Sequence, residues 1–375
     1  MINIVHLYCM NNDLLYQVAL TCVPNIGDVN IKTLIGIYGD AAAVFKAPKR
    51  HLEKIEGIGT VRAASIRKFD DFTTSEEEIM FIEKYKITAL FFTDRNYPQR
   101  LIHCDDSPAL LYYRGNADLN TSKVISVVGT RNNTTYGKEV CEEIINGLSE
   151  KNVLVVSGLA FGIDTIAHKT ALKNNLQTVA VLAHGLDMIY PLQNKSIAKQ
   201  MIEQGGLLTD FRSNSNPDKQ NFPKRNRIVA GICDALVVIE SANKGGSLIT
   251  AELANSYNKD VFAVPGRVTD NKSEGCNYLI NANKASLITG STDLLEIMNW
   301  NEIKKPVSRR QRELFVELSP DESVIYDILQ QRQTIAIDDL YLQSSLSSST
   351  VAQALLMMEM KGVILSLPGK MYKLA

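Results

Sequence analysis

The sequence predicts an α/β protein, with a parallel sheet covered by helices on both faces. A helical region precedes the sheet, and three helices with a hairpin follow it. Three observations carry this reading. From Val124 onward, short continuous apolar runs alternate with helical patterns, as strands buried on both faces require. Each run ends in a glycine or small polar turn, on the edge where such sheets bind ligands. The chain has 375 residues, 45% of them apolar, which is too long for one ordinary domain and enough for a sizeable core.

Residues 1 to about 75 read as a helical domain. Two similar turns lie in it, Val23-Pro24-Asn25-Ile26-Gly27 and Ile55-Glu56-Gly57-Ile58-Gly59, and only the second has the full Gly-x-Gly form. Such turns either aim backbone N–H groups at a DNA phosphate, as helix-hairpin-helix motifs do, or simply close a helix-helix turn with glycine. From Asp70 to Glu83 the chain is acidic and reads as a solvated helix or linker. Ala89-Leu90-Phe91-Phe92-Thr93 reads as a strand, and Tyr97-Pro98, Ser107-Pro108 and Arg114-Gly115 punctuate an extended segment.

The alternating part occupies 76–298. Val124 to Val128 ends at Gly129, and the next helix carries Val140, Ile144, Ile145 and Leu148 on one face. Val153 to Val156 ends at Ser157-Gly158, and Thr178 to Leu182 ends near His184-Gly185. Ala235 to Ile239 precedes Gly245-Gly246, and Val261 to Val264 ends at Pro265-Gly266. Residues 299–318 read as a linker, polar and basic from 301 on. Residues 319–375 show a helix near Asp321 to Gln330, another from near Ile337, and a third from Ser349 to Lys361. Val363 to Leu367 and Met371 to Leu374 flank Pro368-Gly369, which completes a winged-helix pattern. Six acids outnumber four bases there, and the third helix is nearly free of cations, unlike a major-groove reader. Protein contact, or DNA contact through the wing, is therefore expected of this unit.

A formal net charge of −1 excludes a chain that is basic all over, but not a local cationic patch. The six cysteines are scattered without a CxxC pair, so neither a zinc site nor a redox pair is expected. Met1-Ile2-Asn3 lacks the features of a signal peptide, and no apolar run approaches a membrane span. A cytoplasmic protein with no membrane partner is expected.

The cationic patch is found at Phe222-Pro223-Lys224-Arg225-Asn226-Arg227, at the start of a helical pattern whose dipole adds to the positive field. Close after it, Gly245-Gly246-Ser247 opens another helix. Cations, bare-backbone turns and helix starts are what phosphate binding uses. Gly129-Thr130-Arg131 fits the same chemistry, since glycine admits a phosphate to the backbone and arginine forks onto its oxygens. Arg131 stands where a dinucleotide fingerprint needs its second glycine. Glu139, not Ser or Thr, follows Gly137-Lys138, so a P-loop fails too. Neither NAD nor ATP is supported. Ser157-Gly158 opens another anion-friendly loop, whose Phe161 either packs inward or offers a ring to a base. Asp164 reads as the N-cap of the following helix, and His168 as a core or surface histidine. Asp187, Tyr190 and Pro191 either orient a loop or touch a ligand. Glu252 is the best acid-base carboxylate, though such a residue is ordinary in an early helix turn.

These residues resemble the DNA-processing protein A (DprA/Smf) family. The matching pieces stand in family order across roughly residues 85 to 290. They include Val128-Gly129-Thr130-Arg131, Ser157-Gly158-Leu159-Ala160 with Gly162-Ile163-Asp164, and Tyr190-Pro191. Phe222 to Arg227, Gly246-Ser247-Leu248-Ile249-Thr250 and Phe262-Ala263-Val264-Pro265-Gly266 complete the set. The resemblance implies a Rossmann-like domain that binds single-stranded DNA and forms a homodimer. It implies a role in natural transformation: protecting incoming DNA, loading RecA recombinase and overcoming single-strand-binding protein. It implies that Gly129, Thr130, Arg131, Ser157, Gly158, Lys224, Arg225, Asn226, Arg227, Gly246 and Ser247 line the DNA pocket. Where many relatives carry an arginine, this chain has Phe161, which exchanges a cation for a ring. The expectation is a binding protein with no catalytic residue, cofactor or metal. The rival is a nucleotide phosphoribohydrolase-like enzyme, to which Gly245-Gly246-Ser247-Leu248-Ile249-Thr250 with Glu252 is partly similar.

Overall fold

The computed structural model describes residues 12–301, 318–332, 334–367 and 369–375. They fall into two compact units, divided between Glu302 and Ile303. Most of the expected linker, and the first eleven residues of the expected helical domain, lie outside the described residues.

The first unit opens with α1 (Asn12–Cys22), α2 (Asp28–Tyr38), α3 (Ala41–Lys46), α4 (Lys49–Leu52), α5 (Gly59–Lys68) and α6 (Phe72–Lys84). Asp40 and Asp71 cap α3 and α6 by accepting from the N–H groups of Ala43 and Thr74. The two glycine turns sit side by side. Arg62 donates to the Asn25 carbonyl at 2.9 Å and to the Gly57 carbonyl at 2.8 Å, which ties one turn to the other.

The alternating part follows with β1 (Thr88–Phe91), α7 (Gln99–Ile102), β2 (Leu110–Gly115), β3 (Val124–Val128), α8 (Thr135–Gly147), β4 (Leu154–Ser157), α9 (Ile163–Lys173) and β5 (Thr178–Val181). After a short 3-10 turn (Leu192–Asn194) come α10 (Lys195–Glu203), β6 (Gly205–Thr209), α11 (Asn221–Gly231), β7 (Ala235–Val238), α12 (Gly246–Ser256) and β8 (Asp260–Ala263). The unit closes with α13 (Glu274–Asn281), β9 (Ser286–Leu287) and α14 (Ser291–Ile297). The nine strands lie in the order β1-β2-β6-β5-β4-β3-β7-β8-β9. From β6 to β9 every neighbouring pair is parallel, and β1 and β2 add an antiparallel edge. Strand order reverses between β3 and β7, which opens a crevice at their carboxyl ends.

Two-residue periodicity builds a core on each face. On one face Val124, Val128 and Leu236 pack against Ile228 and Val229 of α11 and Ala251 of α12. On the other, Ile125, Val127 and Val237 pack against Ile144 of α8 and Ala167 of α9. The N-terminal helices share a third core with the antiparallel edge, where Val18, Leu34 and Phe45 meet Phe91, Leu110 and Tyr112.

One side chain pins that third core to the sheet. Arg227 of α11 reaches Asp28 at the start of α2 (2.9 Å), Asp210 just after β6 (2.8 Å) and the Asp106 carbonyl. The other oxygen of Asp28 accepts from the Ala109 N–H at 2.8 Å.

The second unit contains α15 (Pro320–Gln330), β10 (Ile335–Ala336), α16 (Ile337–Ser344), α17 (Ser348–Met360), β11 (Ile364–Leu367) and β12 (Met371–Leu374). Ser319 and Glu322 form a capping box on α15, and Lys361 holds the Glu322 carboxylate at 2.7 Å. β12 lies between β10 and β11, so the expected hairpin gains a third strand. The fold is a Rossmann-like parallel sheet with helices before it and a winged helix after it.

Arg227→Ala leaves the nearly buried Asp210 without its counter-charge and takes from Asp28 its 2.9 Å ion-pair partner. The variant is expected to lose about 3 kcal/mol of stability. Urea unfolding of the full chain checks this, read by Trp300, the single tryptophan, which is buried in the core that includes α8. An unchanged midpoint would show that the two carboxylates do not need the cation.

Candidate nucleic-acid interface

A groove of about 600 Å³ crosses the carboxyl ends of β3, β4 and β7. The loop after β3 is fixed first. Thr130 N–H donates to the Glu240 carbonyl (2.8 Å), and Ile163 N–H donates to the Thr130 carbonyl (3.2 Å). The buried Glu240 carboxylate accepts from Thr134 N–H (2.9 Å) and from the Thr134 hydroxyl, which in turn caps α8. Arg131 rises from this loop into solvent, with its guanidinium 5.1 Å from the Phe222 ring centroid. That distance is within cation–π range.

The loop after β4 forms the floor. The Ser157 hydroxyl donates to the Val127 carbonyl at 2.6 Å and is wholly buried. His168 Nε2 donates to the Gly158 carbonyl at 2.6 Å. A side chain on Gly158 would strike both the Arg225 guanidinium and the Asp164 carboxylate. Gly162, with φ of 77°, turns the chain where a Cβ would meet the Thr130 carbonyl. Gly162, not Asp164, takes the N-cap position of α9. Asp164 lies in the first turn, where its carboxylate accepts from Ala160 N–H at 3.2 Å and holds the loop.

Arg225 enters this floor from α11. Only 6% exposed, it donates to the Val181 carbonyl and to Asn226 Oδ1 (3.2 Å). Burial lowers its proton affinity, and the nearby Asp164 charge opposes that. Burial raises the Asp164 carboxyl, and Arg225 opposes this in turn. On the far wall, α12 begins at Gly246 with no side-chain cap, and Gly245, Gly246 and Ser247 at this uncapped start line the groove. Ser247 is anchored by donating to Ser241 Oγ at 2.8 Å.

A narrower hollow adjoins the groove. Phe161, Tyr190 and Phe222 line it with Arg131 and Arg225. Phe161 and Tyr190 are nearly half exposed, and Tyr190 meets Phe222 edge-on at 6.4 Å. His184 sets Tyr190 by accepting from its N–H at 3.2 Å.

The expected residues therefore separate. Gly129, Thr130, Arg131, Gly158, Arg225, Asn226, Gly246 and Ser247 line the groove, and Phe161 lines the hollow. Ser157 lies beneath the floor. Lys224 and Arg227 face a different cleft, beside Asp28, Asp106 and Asp210. The helix explains the split. Residues two apart point to nearly opposite sides, whereas 224 and 227 share a face. Glu252 stands apart from the groove lining, paired with Lys284 at 2.8 Å on the surface. Asp187 accepts from Asn214 N–H at 3.0 Å and so orients a loop. Lys219 lines the groove but carries no signal in the sequence, since it belongs to no glycine turn or charge cluster, and His184 shows there only as part of a strand-end glycine turn.

Fold and site together define a doubly wound α/β protein with an amide- and arginine-lined groove at its topological switch point, in a chain that also carries a winged helix. The chain belongs to the family described as DNA recombination-mediator protein A, which residues 88–299 match, while residues 314–370 match the DprA winged helix domain. It is 31% identical to Protein Smf of Synechocystis over 97% of this chain and 99% of that one. The crystal structure of DNA processing protein A from Streptococcus pneumoniae is similar with a TM-score of 0.67 at 32% identity, covering 75% of this chain and 97% of that one. DNA processing protein A from Helicobacter pylori, solved for its single-stranded DNA binding mode, has a TM-score of 0.52 at 29% identity. The match covers 57% of this chain and 96% of that one. No helix among the described residues is long and apolar enough to cross a membrane.

Burial pushes the His168 imidazole down to about 4. The unfolded chain therefore takes up a proton near pH 6.5 that the folded chain refuses until about pH 4. Stability present above pH 6.5 is expected to fall by about 3 kcal/mol as pH drops through that window. Urea midpoints between pH 4 and 7 check this, and His168→Gln should flatten the slope. A variant with the wild-type slope would remove His168 as its source. His184, also lowered by burial, is present in both proteins and cancels in the comparison.

Proposed function

We propose that the chain binds single-stranded DNA across the strand-end groove and acts as a non-enzymatic DNA-processing protein of natural transformation. The observation that carries this is the groove's composition. The uncapped start of α12, the exposed Arg131 and the glycine floor suit phosphates, and Phe161, Tyr190 and Phe222 beside them suit bases. Phosphates and ring faces are common to all nucleotides, so weak sequence preference follows. The single-stranded DNA binding of the Helicobacter pylori relative supports the same ligand.

In this reading the protein shields incoming strands, passes them to RecA recombinase against single-strand-binding protein, and works in the cytoplasm as a homodimer. Residues 76–298 act as the DNA-processing domain, 1–75 and 319–375 as accessory domains, and 299–318 as the linker. The groove residues serve as contacts. Ser157 supports them from below, and Lys224 and Arg227 lie too far round α11 to share the same strand. The hydrolase alternative asks Glu252 to reach a nucleotide at Gly246-Ser247, and its pairing with Lys284 works against that.

Fluorescence anisotropy with a labelled oligo-dT, run beside a duplex of equal length through a salt series, tests the proposal. Tighter binding of the single strand is expected. Arg131→Ala should make the log–log salt slope shallower by about 0.7, the value of one phosphate contact on a single strand. Phe161→Ala should cost about 1–3 kcal/mol if its ring stacks on a base. Arg227→Ala should leave the slope unchanged. Weak binding indifferent to Arg131 and Phe161 would end this reading, and release of free base from AMP would favour the hydrolase.

A further inference from the structure

The geometry points to a continuation of the strand path outside the strand-end groove: we propose that the furrow between α9 and α10 carries the next nucleotides of a bound single strand. The inference rests on the proposed function and adds a second stretch of contact to it.

Both helices start at the carboxyl edge of the sheet and run toward its other edge, as crossover helices between parallel strands must. Phe161 stands two residues before α9, and Tyr190 lies just before the turn that leads into α10. Pro191 lines the aromatic hollow and Gln193 the furrow, so the upper end of the furrow lies two residues along the chain from the hollow. The furrow has a volume of about 430 Å³. Lys169 and Lys173 line one wall, Gln193 and Ser196 the other, with Leu172 and Ile197 between them. Among the described residues, no carboxylate lines it.

The charge pattern supports a polyanion. Lys169 and Lys173 are four apart on α9 and so share a face, about 6 Å apart along the axis. Like charges at that spacing repel unless something relieves them. Lys195 and Lys199 repeat the spacing on α10, next to the furrow's lining residues Ser196 and Gln200 rather than in the lining themselves, and all four lysines are exposed. None of the four makes an ion pair among the described residues. On α9 the lone acid, Asp164, is buried under the groove, and on α10 Glu203 stands at the far end. An acidic protein segment would find the same cations. The short step from Pro191 in the aromatic hollow to Gln193 in the furrow favours a strand that arrives from the rings.

The experiment uses the full chain and two labelled oligo-dT probes. One, roughly 6 nucleotides long, covers the strand-end groove alone, and one of roughly 20 also reaches the furrow. Wild type is compared with the double variant Lys169→Gln, Lys173→Gln, whose thermal melt should match wild type because both side chains are exposed. The longer probe is expected to bind several-fold more weakly to the variant, with a salt slope shallower by about 1.4 for two lost phosphate contacts. The short probe should bind both proteins alike. Equal binding of the long probe to both proteins overturns the furrow path while leaving the groove intact. Failure of wild type to bind the short probe overturns the strand-end reading itself, and the furrow path falls with it. A labelled oligo-glutamate peptide that binds wild type but not the variant, with long-probe binding unchanged, assigns the furrow to an acidic protein partner and also overturns the proposal.

Discussion

The strand-end groove is organised around one buried guanidinium. Taking Arg225 out of water is costly unless its charge and its N–H groups are answered, and the surrounding parts are the answer. Val181 at the end of β5 supplies a carbonyl, and Asp164 in the first turn of α9 supplies the opposite charge. Asp164 is in turn held against the loop by Ala160 N–H, and His168 clamps the Gly158 carbonyl over it. Strands β4 and β5 and helices α9 and α11 are thereby held to one geometry. Phe161 stands at the tip of the loop they hold, and Arg131 projects from its neighbour. A rigid floor lets exposed groups meet a ligand without first having to be ordered.

Helix α11 does the same job on its other side for a different purpose. Arg227 joins the first turn of α2 to the end of β6 and to the 106 carbonyl, so the N-terminal helices and the sheet are held by a shared cation. One turn of helix thus faces the groove with Arg225 and Asn226 and the helical region with Lys224 and Arg227. Displacement of this helix would alter both sides together. The winged helix stabilises itself independently, with its own core around Ile325, Leu340, Leu355 and Met358.

Much of the fold was legible because buried parallel strands are written as unbroken apolar runs. Val124 to Val128, Ala235 to Val238 and their neighbours needed no tertiary information. β6 is hidden in the sequence because Gly205 and Gly206 have poor strand propensity; a side chain on Gly205 would strike the Thr178 backbone, and one on Gly206 the Tyr113 ring and hydroxyl. The glycine turns announced the groove's edge for a similar reason, since close approach leaves glycine as the visible residue. Direction was not legible. Lys224, Arg225 and Arg227 form one cluster in the sequence, and only the helical phase sends them to opposite faces. Ser157 looked like a ligand contact because a serine beside a glycine reads the same whether its hydroxyl meets a phosphate or the Val127 carbonyl. Tyr190 was noticed without a role, because its exposure beside Phe222 depends on a loop folding back onto α11.

The close approach of Gly158 to Arg225 also bears on how such a sequence can change. Any side chain at 158 collides with the guanidinium, and any shorter residue at 225 leaves Asp164 and the Val181 carbonyl unanswered beneath a void. Each change alone is damaging, while a pair that trades bulk at one position for space at the other need not be. Two positions far apart in the chain are therefore bound to drift as a couple or not at all, and the effect of either substitution depends on which residue its partner already carries.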